Sequence, residues 1–193
     1  SFLPLVLNKI YSKLGEDLKE KEVLIIGDEE EITKEIIQYL CKEVKFITLA
    51  GDYDSIIDNI SKDILEMTGL SIFYSKNIDR ILTNYSIIIN LKENCYLNLK
   101  RLRKEAVVFD FSVARGISNI MRDRSIKIIE DFIFRIDGED LKENSFIESL
   151  VPSYIYEYFF KLKSENLAGL LVNGEIYTIQ DFIDYEIRNK GKM

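Results

Sequence analysis

The stretch that decides the fold is Glu22-Val23-Leu24-Ile25-Ile26-Gly27. A short, almost continuous apolar run that stops at a glycine is typical of a strand buried on both faces of a parallel sheet. Residues 45–49 have the composition of a second strand. Between the two runs, apolar side chains recur with the spacing of one helix face, at Ile32, Ile36, Ile37 and Leu40. The sequence therefore predicts a strand–helix–strand unit over residues 22–49.

The same alternation continues along the chain. Strands are predicted at residues 70–74, 86–90, 106–111 and 126–129, the last with room to extend to 134. Helices are predicted between them at 56–64, at 78–82 and, as a basic amphipathic helix, at 96–102. Strands separated by helix-length connections need right-handed crossovers, which cover both faces of a parallel sheet. The expected fold class is α/β, with a doubly wound, mostly parallel sheet of about six strands.

Both ends of the chain are predicted to be helical. An apolar stripe that ends at Gly15 indicates a lead-in helix within residues 1–20; its members are Leu3, Val6, Leu7, Ile10 and Leu14. Past Gly138 the strand–helix alternation stops, and two amphipathic helices are predicted on either side of a loop at Asn173-Gly174. We expect residues 138–193 to form a helical extension packed on the α/β core of residues 21–137, so that residues 1–193 make a single domain.

The predicted C-terminal helices carry an aromatic cluster, at Tyr154, Tyr156, Tyr158, Phe159 and Phe160. We interpret the cluster as core or helix–helix packing, and a wall of a ligand site or a dimer surface is the alternative. These helices hold more aromatic side chains than the edge of a small sheet needs for cover. A homodimer formed through them is therefore a further expectation.

Composition narrows the partners and the chemistry. The 26 basic and 33 acidic side chains leave a net charge of −7, which disfavours binding to nucleic acid and to anionic membrane surfaces. No apolar stretch approaches the ~18 residues of a membrane-spanning helix. The chain has no histidine, which removes histidine triads, histidine bases and most zinc sites. No metal site is expected.

The two cysteines, Cys41 and Cys95, are too few for a disulfide scaffold. A reducing cytoplasm is the simplest location for such a chain. We interpret both thiols as packing groups and not as nucleophiles. No residue is assigned a catalytic role.

Candidate binding residues lie where the predicted strands end, because open parallel sheets bind ligands outside the carboxyl ends of their strands. The candidates are Gly27, Asp28, Glu29, Ala50, Gly51, Asp52, Asn90, Leu91, Ser112 and Arg115. Asp52 follows Gly27 by 25 positions and could accept hydrogen bonds from a ribose, or it could belong to a solvated turn. The backbone of Asn90 and Leu91 could line a nucleotide cleft. Asp110 and Arg115 could form a buried ion pair or could position a ligand.

The turn after Gly27 lacks the glycine fingerprint of dinucleotide sites, because Glu29 and Ile32 occupy the second and third glycine positions. Residues 28–31 are four consecutive carboxylates at the place where a diphosphate would meet the helix. Each pair of like charges at ~5 Å costs on the order of 3 kcal/mol before screening. The sequence therefore predicts weakened NAD(P) binding. Alternatively, the carboxylates complement the helix dipole with Asp28 as the N-cap, or they hold a cation or ribose hydroxyls.

Three phrases in order support a family resemblance: residues 17–27, Ser86-Ile87-Ile88-Ile89-Asn90, and residues 110–117. Over residues 5–134, the chain resembles an NAD(P)-binding Rossmann domain. This domain is shared by shikimate dehydrogenases, glutamyl-tRNA reductases and the amino-acid dehydrogenases related to acyl-carrier-protein reductases. The third phrase is similar to their aspartate-x-x-valine-proline-arginine-x-isoleucine phrase, with Ala114 in place of the proline. The resemblance implies a Rossmann-like fold, NAD or NADP as cofactor, and a nicotinamide side near residue 90.

Two functional hypotheses follow. In the first, the chain is a degenerate NAD(P)-binding Rossmann-like domain that acts as a non-catalytic regulatory or protein-interaction module. In the second, it is the cofactor domain of an NAD(P)-dependent reductase or dehydrogenase whose catalytic half lies outside this chain. The resemblance implies the second, whereas the acidic turn after Gly27 favours the first.

Overall fold

A mixed sheet forms the centre of the fold. The computed structural model describes residues 2–93, 95–113, 115, 117, 126–136, 149–160 and 164–188. In these ranges there are nine strands in the order β3-β2-β1-β4-β5-β6-β8-β9, and β7 also pairs with β6. The strands are β1 Glu22–Gly27, β2 Phe46–Gly51, β3 Ile72–Ser75, β4 Ile87–Asn90, β5 Val107–Asp110, β6 Ile128–Ile136, β7 Ser149–Pro152, β8 Leu167–Val172 and β9 Glu175–Tyr177.

The first six strands run parallel and confirm the predicted doubly wound α/β fold. Their order, 3-2-1-4-5-6, is the strand order of dinucleotide-binding Rossmann sheets. Strand β1 lies at the centre between β2 and β4, and residues 23–26 are fully buried. This position explains the apolar run, because a central parallel strand meets side chains on both faces.

In the described ranges, four α-helices precede or connect the parallel strands: α1 Leu3–Leu14, α2 Glu30–Leu40, α3 Ile57–Thr68 and α4 Ile78–Ile81. The predicted lead-in helix is confirmed, and Gly15 ends it in the left-handed conformation with φ 73°. Helix α1 packs against α2 and against the helix Ile179–Phe182, which continues as a π-helical segment, Ile183–Arg188. No helix in the described ranges is both long and apolar enough to cross a bilayer.

The sheet has a core on each face. One core joins α1, α2 and α3 to β1, β2 and β6, with members such as Val6, Ile37 and Phe134. The other core joins Leu82, Cys95 and Leu97 to the opposite faces of β1, β4 and β5. The prediction of a basic helix at residues 96–102 is wrong. The described part of this segment has only a 3₁₀ turn, at Leu99–Arg101. Tyr96 is exposed and Leu97 buried, so this connection covers the sheet through single side chains.

The C-terminal region differs most from the prediction. In place of a purely helical extension, β7, β8 and β9 extend the sheet in antiparallel fashion beyond β6. Strands β8 and β9 form a hairpin whose turn residues, Asn173 and Gly174, have positive φ values of 49° and 81°. Asn-Gly is the preferred pair for such two-residue turns, because both positions need left-handed backbone. The Asn173-Gly174 pair that we expected to connect two helices therefore connects two strands.

The aromatic cluster of the C-terminal region is divided between core and surface. Tyr156, on the helix Ser153–Phe159, is buried and stacks on Phe134 at 4.4 Å and on Phe160 at 5.3 Å between ring centroids. Tyr154 and Tyr158 are 69% and 83% exposed. The packing interpretation is thus confirmed for Tyr156 and Phe160 and wrong for the two exposed tyrosines, which alternate with Tyr156 around a short helix.

An open groove of about 530 Å³ lies beside β2 and β3. Its lining includes Phe46 and Phe73, which are 47% and 61% exposed because the short helix α4 leaves this part of the sheet face uncovered. Arg103 in the groove donates to the carbonyl of Thr83 at 2.9 Å and lies 3.6 Å from Glu22. The lining does not include the polar residues that follow β1, β2, β4 and β5, so the volume of the groove does not make it the functional site.

Candidate functional site

The carboxyl ends of β1, β2, β4 and β5 bring the predicted residues together at one edge of the sheet. Gly27 is in register with Gly51, and Ile26 is in register with both Ala50 and Asn90. Asn90 is in turn in register with Asp110. The chain reverses its winding direction between β1 and β4, and this switch point is where doubly wound sheets bind their ligands.

Two glycines let the ends of β1 and β2 approach closely. A Cβ on Gly51, which has φ 119°, would lie 2.2 Å from the carbonyl oxygen of Gly27. A Cβ on Gly27 would lie 2.3 Å from the hydroxyl oxygen of Tyr53 and 3.5 Å from the Cβ of Leu91. Ala50 is fully buried beside them. Gly27 is therefore required by the packing of Tyr53, in addition to any part that it has in a ligand turn.

Tyr53 is a residue that sequence reasoning missed. Its side chain is fully buried, and its hydroxyl shares a hydrogen bond of 2.8 Å with the buried hydroxyl of Thr33 on α2. Burial raises the pKa of Tyr53 well above its usual value. Ile32, in the third fingerprint position, is 47% exposed and does not face the sheet. Tyr53 thus fills the space between α2 and β1, where the fingerprint would give direct helix–strand contact through glycine.

The acidic turn is organised differently from the prediction. The N-cap of α2 is Glu29 and not Asp28, with extended backbone and no capping hydrogen bond from the side chain. Glu30 and Glu31 lie in the first helical turn, where they complement the helix dipole. The ammonium of Lys34 lies 2.5 Å from Glu30 and 2.5 Å from Asp63 on α3. One carboxylate of the turn is therefore neutralised by a lysine of the same helix.

Lys92 is the second residue that sequence reasoning missed. It offsets the negative charge of Asp28, at the start of the acidic turn. It follows β4, forms an ion pair with Asp52, and lies 4.0 Å from the carboxylate of Asp28. The hydrogen bond that Lys92 donates to Asp52 raises the pKa of Lys92 above its usual value, so its side chain is a cation at neutral pH. Two of the four carboxylates at residues 28–31 thus have a lysine within 4.0 Å. The sequence analysis treated all four negative charges as uncompensated, and the structure corrects this for Asp28 and Glu30.

Asn90 and Asp110 form a buried polar connection between β4 and β5. Asn90 donates to Asp110 at 2.9 Å and to the carbonyl of Lys92 at 2.9 Å, and it accepts from the amide of Lys92 at 3.2 Å. Asp110 also accepts from the hydroxyl of Ser112 and from the amide of Ile117, each at 2.8 Å. This connection holds the loop after β4 to the loop after β5. The amide of Leu91 donates to the carbonyl of Ile26 at 2.7 Å and ties the same loop to β1.

Arg115 lies apart from the crevice. The expected ion pair with Asp110 is wrong, because Arg115 pairs at 3.1 Å with Glu130 on β6, whose side chain is only 6% exposed. Glu130 also accepts from the amide of Gly174 at 3.1 Å. Arg115 has a positive backbone φ of 51°. Arg115 therefore links the loop after β5 to the C-terminal hairpin and does not face the switch point.

Cys95 is not an activated thiol, and the described residues contain no grouped ligands for a metal ion. Cys95 is buried, and desolvation, followed by the charge of Asp110, raises the pKa of its thiol to about 11. A thiol with that pKa is protonated at neutral pH and is a poor nucleophile. Within the ranges that the structure describes, no three Cys, Asp or Glu side chains are grouped to hold a metal ion.

Known proteins similar to this chain are found among solved structures. No protein-family model and no curated protein matches the chain. Among solved structures, the chain is similar to Δ1-pyrroline-2-carboxylate reductase from Thermococcus litoralis, with 10% identity, a TM-score of 0.45, and coverage of 57% of this chain and 34% of that one. It is also similar to shikimate 5-dehydrogenase from Listeria monocytogenes, with 16% identity, a TM-score of 0.43, and coverage of 61% and 48%.

The nucleotide-binding domain of glutamyl-tRNA reductase from Thermoplasma volcanium is a third similar structure, with 15% identity, a TM-score of 0.37, and coverage of 57% of this chain and 75% of that one. Shikimate dehydrogenases and glutamyl-tRNA reductases are also groups that the sequence itself resembles. The chain spans 34% and 48% of the first two structures. Because the three TM-scores are below 0.5, the fold is assigned from the strand order and not from superposition on these structures.

Proposed function

We propose that this chain is a dinucleotide-binding domain of the NAD type that serves as the cofactor domain of an oxidoreductase. One observation supports the proposal most. At the switch point of a 3-2-1-4-5-6 sheet, the end of β2 carries an exposed carboxylate, Asp52, and a lysine after β4 lies between it and Asp28. A carboxylate at the end of the second strand is the group that accepts hydrogen bonds from the adenosine ribose in this fold class.

The residues present fit part of such a cofactor. Asp52 could accept from ribose hydroxyls, and the backbone at Gly51, Asn90 and Leu91 lies along the crevice between the strand ends. Asp52 favours NAD over NADP, because its charge would repel a 2′-phosphate. The diphosphate part of the fingerprint is absent, since Glu29 stands in the second glycine position. When bound, the cofactor would supply hydride transfer.

This chain's own contribution is to bind and orient the cofactor. Two of the described side chains near the crevice, those of Lys92 and Cys95, are unsuited to proton transfer at neutral pH. Lys92 is held as a paired cation, and Cys95 is a buried, protonated thiol. The proposal accordingly assigns no acid, base or nucleophile to the described residues.

A titration of the chain with NADH and NADPH, followed by calorimetry and by nicotinamide fluorescence, tests the proposal. We expect NADH to bind with a dissociation constant between about 1 µM and 1 mM and NADPH to bind at least about tenfold more weakly. Asp52→Asn should reduce the preference for NADH, because the repulsive charge is lost. Absence of NADH binding at millimolar concentration would overturn the proposal.

A second candidate function is the non-catalytic regulatory or interaction module. Tyr53 favours it, because its buried ring sits between α2 and β1 and changes the turn that a diphosphate would contact. The double variant Glu29→Gly, Ile32→Gly separates the two candidates. Binding of NADH by the variant alone would support the second candidate, since it would show that the natural turn has lost a function that glycine restores. Equal binding by both proteins would exclude it.

A further inference from the structure

We propose that Lys92 is the diphosphate-binding group of the crevice and that it exchanges its partner when a nucleotide binds. In the free protein Lys92 is paired with Asp52. A bound diphosphate would take over the ammonium, and the released Asp52 carboxylate would accept hydrogen bonds from ribose hydroxyls. This inference rests on the proposed function and names the group that replaces the missing glycine fingerprint.

The position of Lys92 supports this role. Its ammonium contacts Asp52 at the end of β2 and lies 4.0 Å from Asp28 at the end of β1. It therefore lies over the carboxyl ends of adjacent strands beside the switch point, where Rossmann sheets hold the diphosphate. The Lys92 side chain is 24% exposed and the Asp52 side chain is 74% exposed, so a ligand can reach both.

The backbone of Lys92 is held in place by hydrogen bonds. Asn90 bonds to both the amide and the carbonyl of Lys92, and the buried Asp110 holds Asn90. Leu91, between them, is bonded to β1. A partner exchange would therefore need only rotation of the lysine side chain, with little loss of backbone entropy on binding.

The charges also favour an exchange. An ammonium has three donors, so it can keep a carboxylate contact while it donates to a phosphate oxygen. Two carboxylates share this one ammonium, and lysine is an established phosphate-binding side chain in proteins. Two other cations near this edge are engaged elsewhere: Arg115 with Glu130, and Lys76 with Asp54 at 2.5 Å. Among the described residues, the ion pairs place Lys92 and Lys34 beside the acidic turn after β1, and Lys34 is engaged with Glu30 and with Asp63 on α3.

The test compares Lys92→Met with Lys76→Met, a matched control that breaks another lysine–aspartate pair near the same edge. Calorimetric titrations of the full chain use NADH, ADP and adenosine. We expect Lys92→Met to weaken NADH and ADP binding by about 10- to 100-fold and to leave adenosine within about twofold, because only the phosphate contact is lost. Lys76→Met should leave all three dissociation constants within about twofold.

Inorganic pyrophosphate tests the exchange itself. In Asp52→Asn the competing carboxylate is gone, so we expect pyrophosphate to bind about 3- to 10-fold more tightly than to the wild type, while adenosine binds more weakly. If the Lys92–Asp52 pair only stabilised the fold, Asp52→Asn would weaken the binding of pyrophosphate and of adenosine together. Circular dichroism with thermal unfolding confirms that each variant is folded, and Lys92→Gln replaces Lys92→Met if the latter is not.

The outcomes separate this inference from the proposed function. Equal binding of ADP by the wild type and Lys92→Met overturns the role of Lys92, even if NADH binds. Binding of ADP that needs Lys92, without any binding of NADH, supports the role of Lys92 and overturns the NAD assignment. A wild type that binds none of the four probes at millimolar concentration overturns both.

Discussion

The hydroxyl of Tyr53 lies 2.3 Å from the position that a Cβ would occupy on Gly27. This relationship joins the end of the central strand to a buried aromatic side chain that follows the next strand in the sheet. It also gives Gly27 a structural role that is independent of any ligand. A glycine that resembles the start of a phosphate-binding turn is required here because a tyrosine ring fills the space beside it.

Gly27→Ala should destabilise the protein by about 1–3 kcal/mol, because a fully buried ring cannot move to make room for the methyl group. Urea unfolding measures the change. The double variant Gly27→Ala, Tyr53→Phe is the control. Removing the hydroxyl should recover part of the loss, so the two substitutions should be non-additive. Unchanged stability of Gly27→Ala would contradict the packing described above.

Asn90→Ala should cost about 2–3 kcal/mol, because it removes a donor from the buried carboxylate of Asp110. Asn8→Ala, which breaks a partly buried hydrogen bond of 2.9 Å to Glu43, serves as the comparison. It should cost no more than about 1 kcal/mol. Denaturant unfolding of both variants gives the comparison, and an Asn90 variant no less stable than the Asn8 variant would refute the importance of the connection between β4 and β5.

Stability should fall at alkaline pH. Burial raises the pKa values of Tyr53 and Tyr11 above the ordinary value of 10.0, so the folded state keeps protons that the unfolded chain loses. The free energy of unfolding should therefore be unaffected by these two groups below about pH 9 and should decrease as the pH rises through 10 and above. Tyr53→Phe should reduce the slope.

Unfolding curves recorded between pH 8 and pH 11, together with tyrosinate absorbance, measure this effect on stability. Tyr158→Phe is the control, because its side chain is 83% exposed. An identical alkaline slope in wild type and Tyr53→Phe would show that Tyr53 ionises as readily in the folded state as in the unfolded chain.

Self-association through the C-terminal aromatic surface remains a prediction. If a homodimer forms there, Tyr154→Ser with Tyr158→Ser should shift the mass measured by light scattering toward the monomer. Tyr96→Ser is the matched control, because Tyr96 is 73% exposed but precedes β5 on another part of the chain. A wild type that is monomeric at all concentrations would make the prediction wrong.

The sequence alone determined the parallel half of the fold, because the signals for it are local. The apolar run at residues 23–26 is short and is stopped by Gly27, which favours a strand covered on both faces, and the stripe that ends at Gly15 has the spacing of one helix face. The preference of Asn173-Gly174 for a hairpin turn was also local. The interpretation of Asn173-Gly174 as a loop between helices was wrong, because the apolar residues beside this pair suit a helix or a strand equally well.

The tertiary structure alone decided which polar and aromatic side chains meet at the strand ends. Lys92 is 40 positions from Asp52, and Asn90 is 20 positions from Asp110. Tyr53 is 20 positions from Thr33. Spacing along the chain does not specify such pairs, because each residue has several partners of suitable charge or shape. The register of β1, β2, β4 and β5 selects among them by bringing particular strand ends within contact distance.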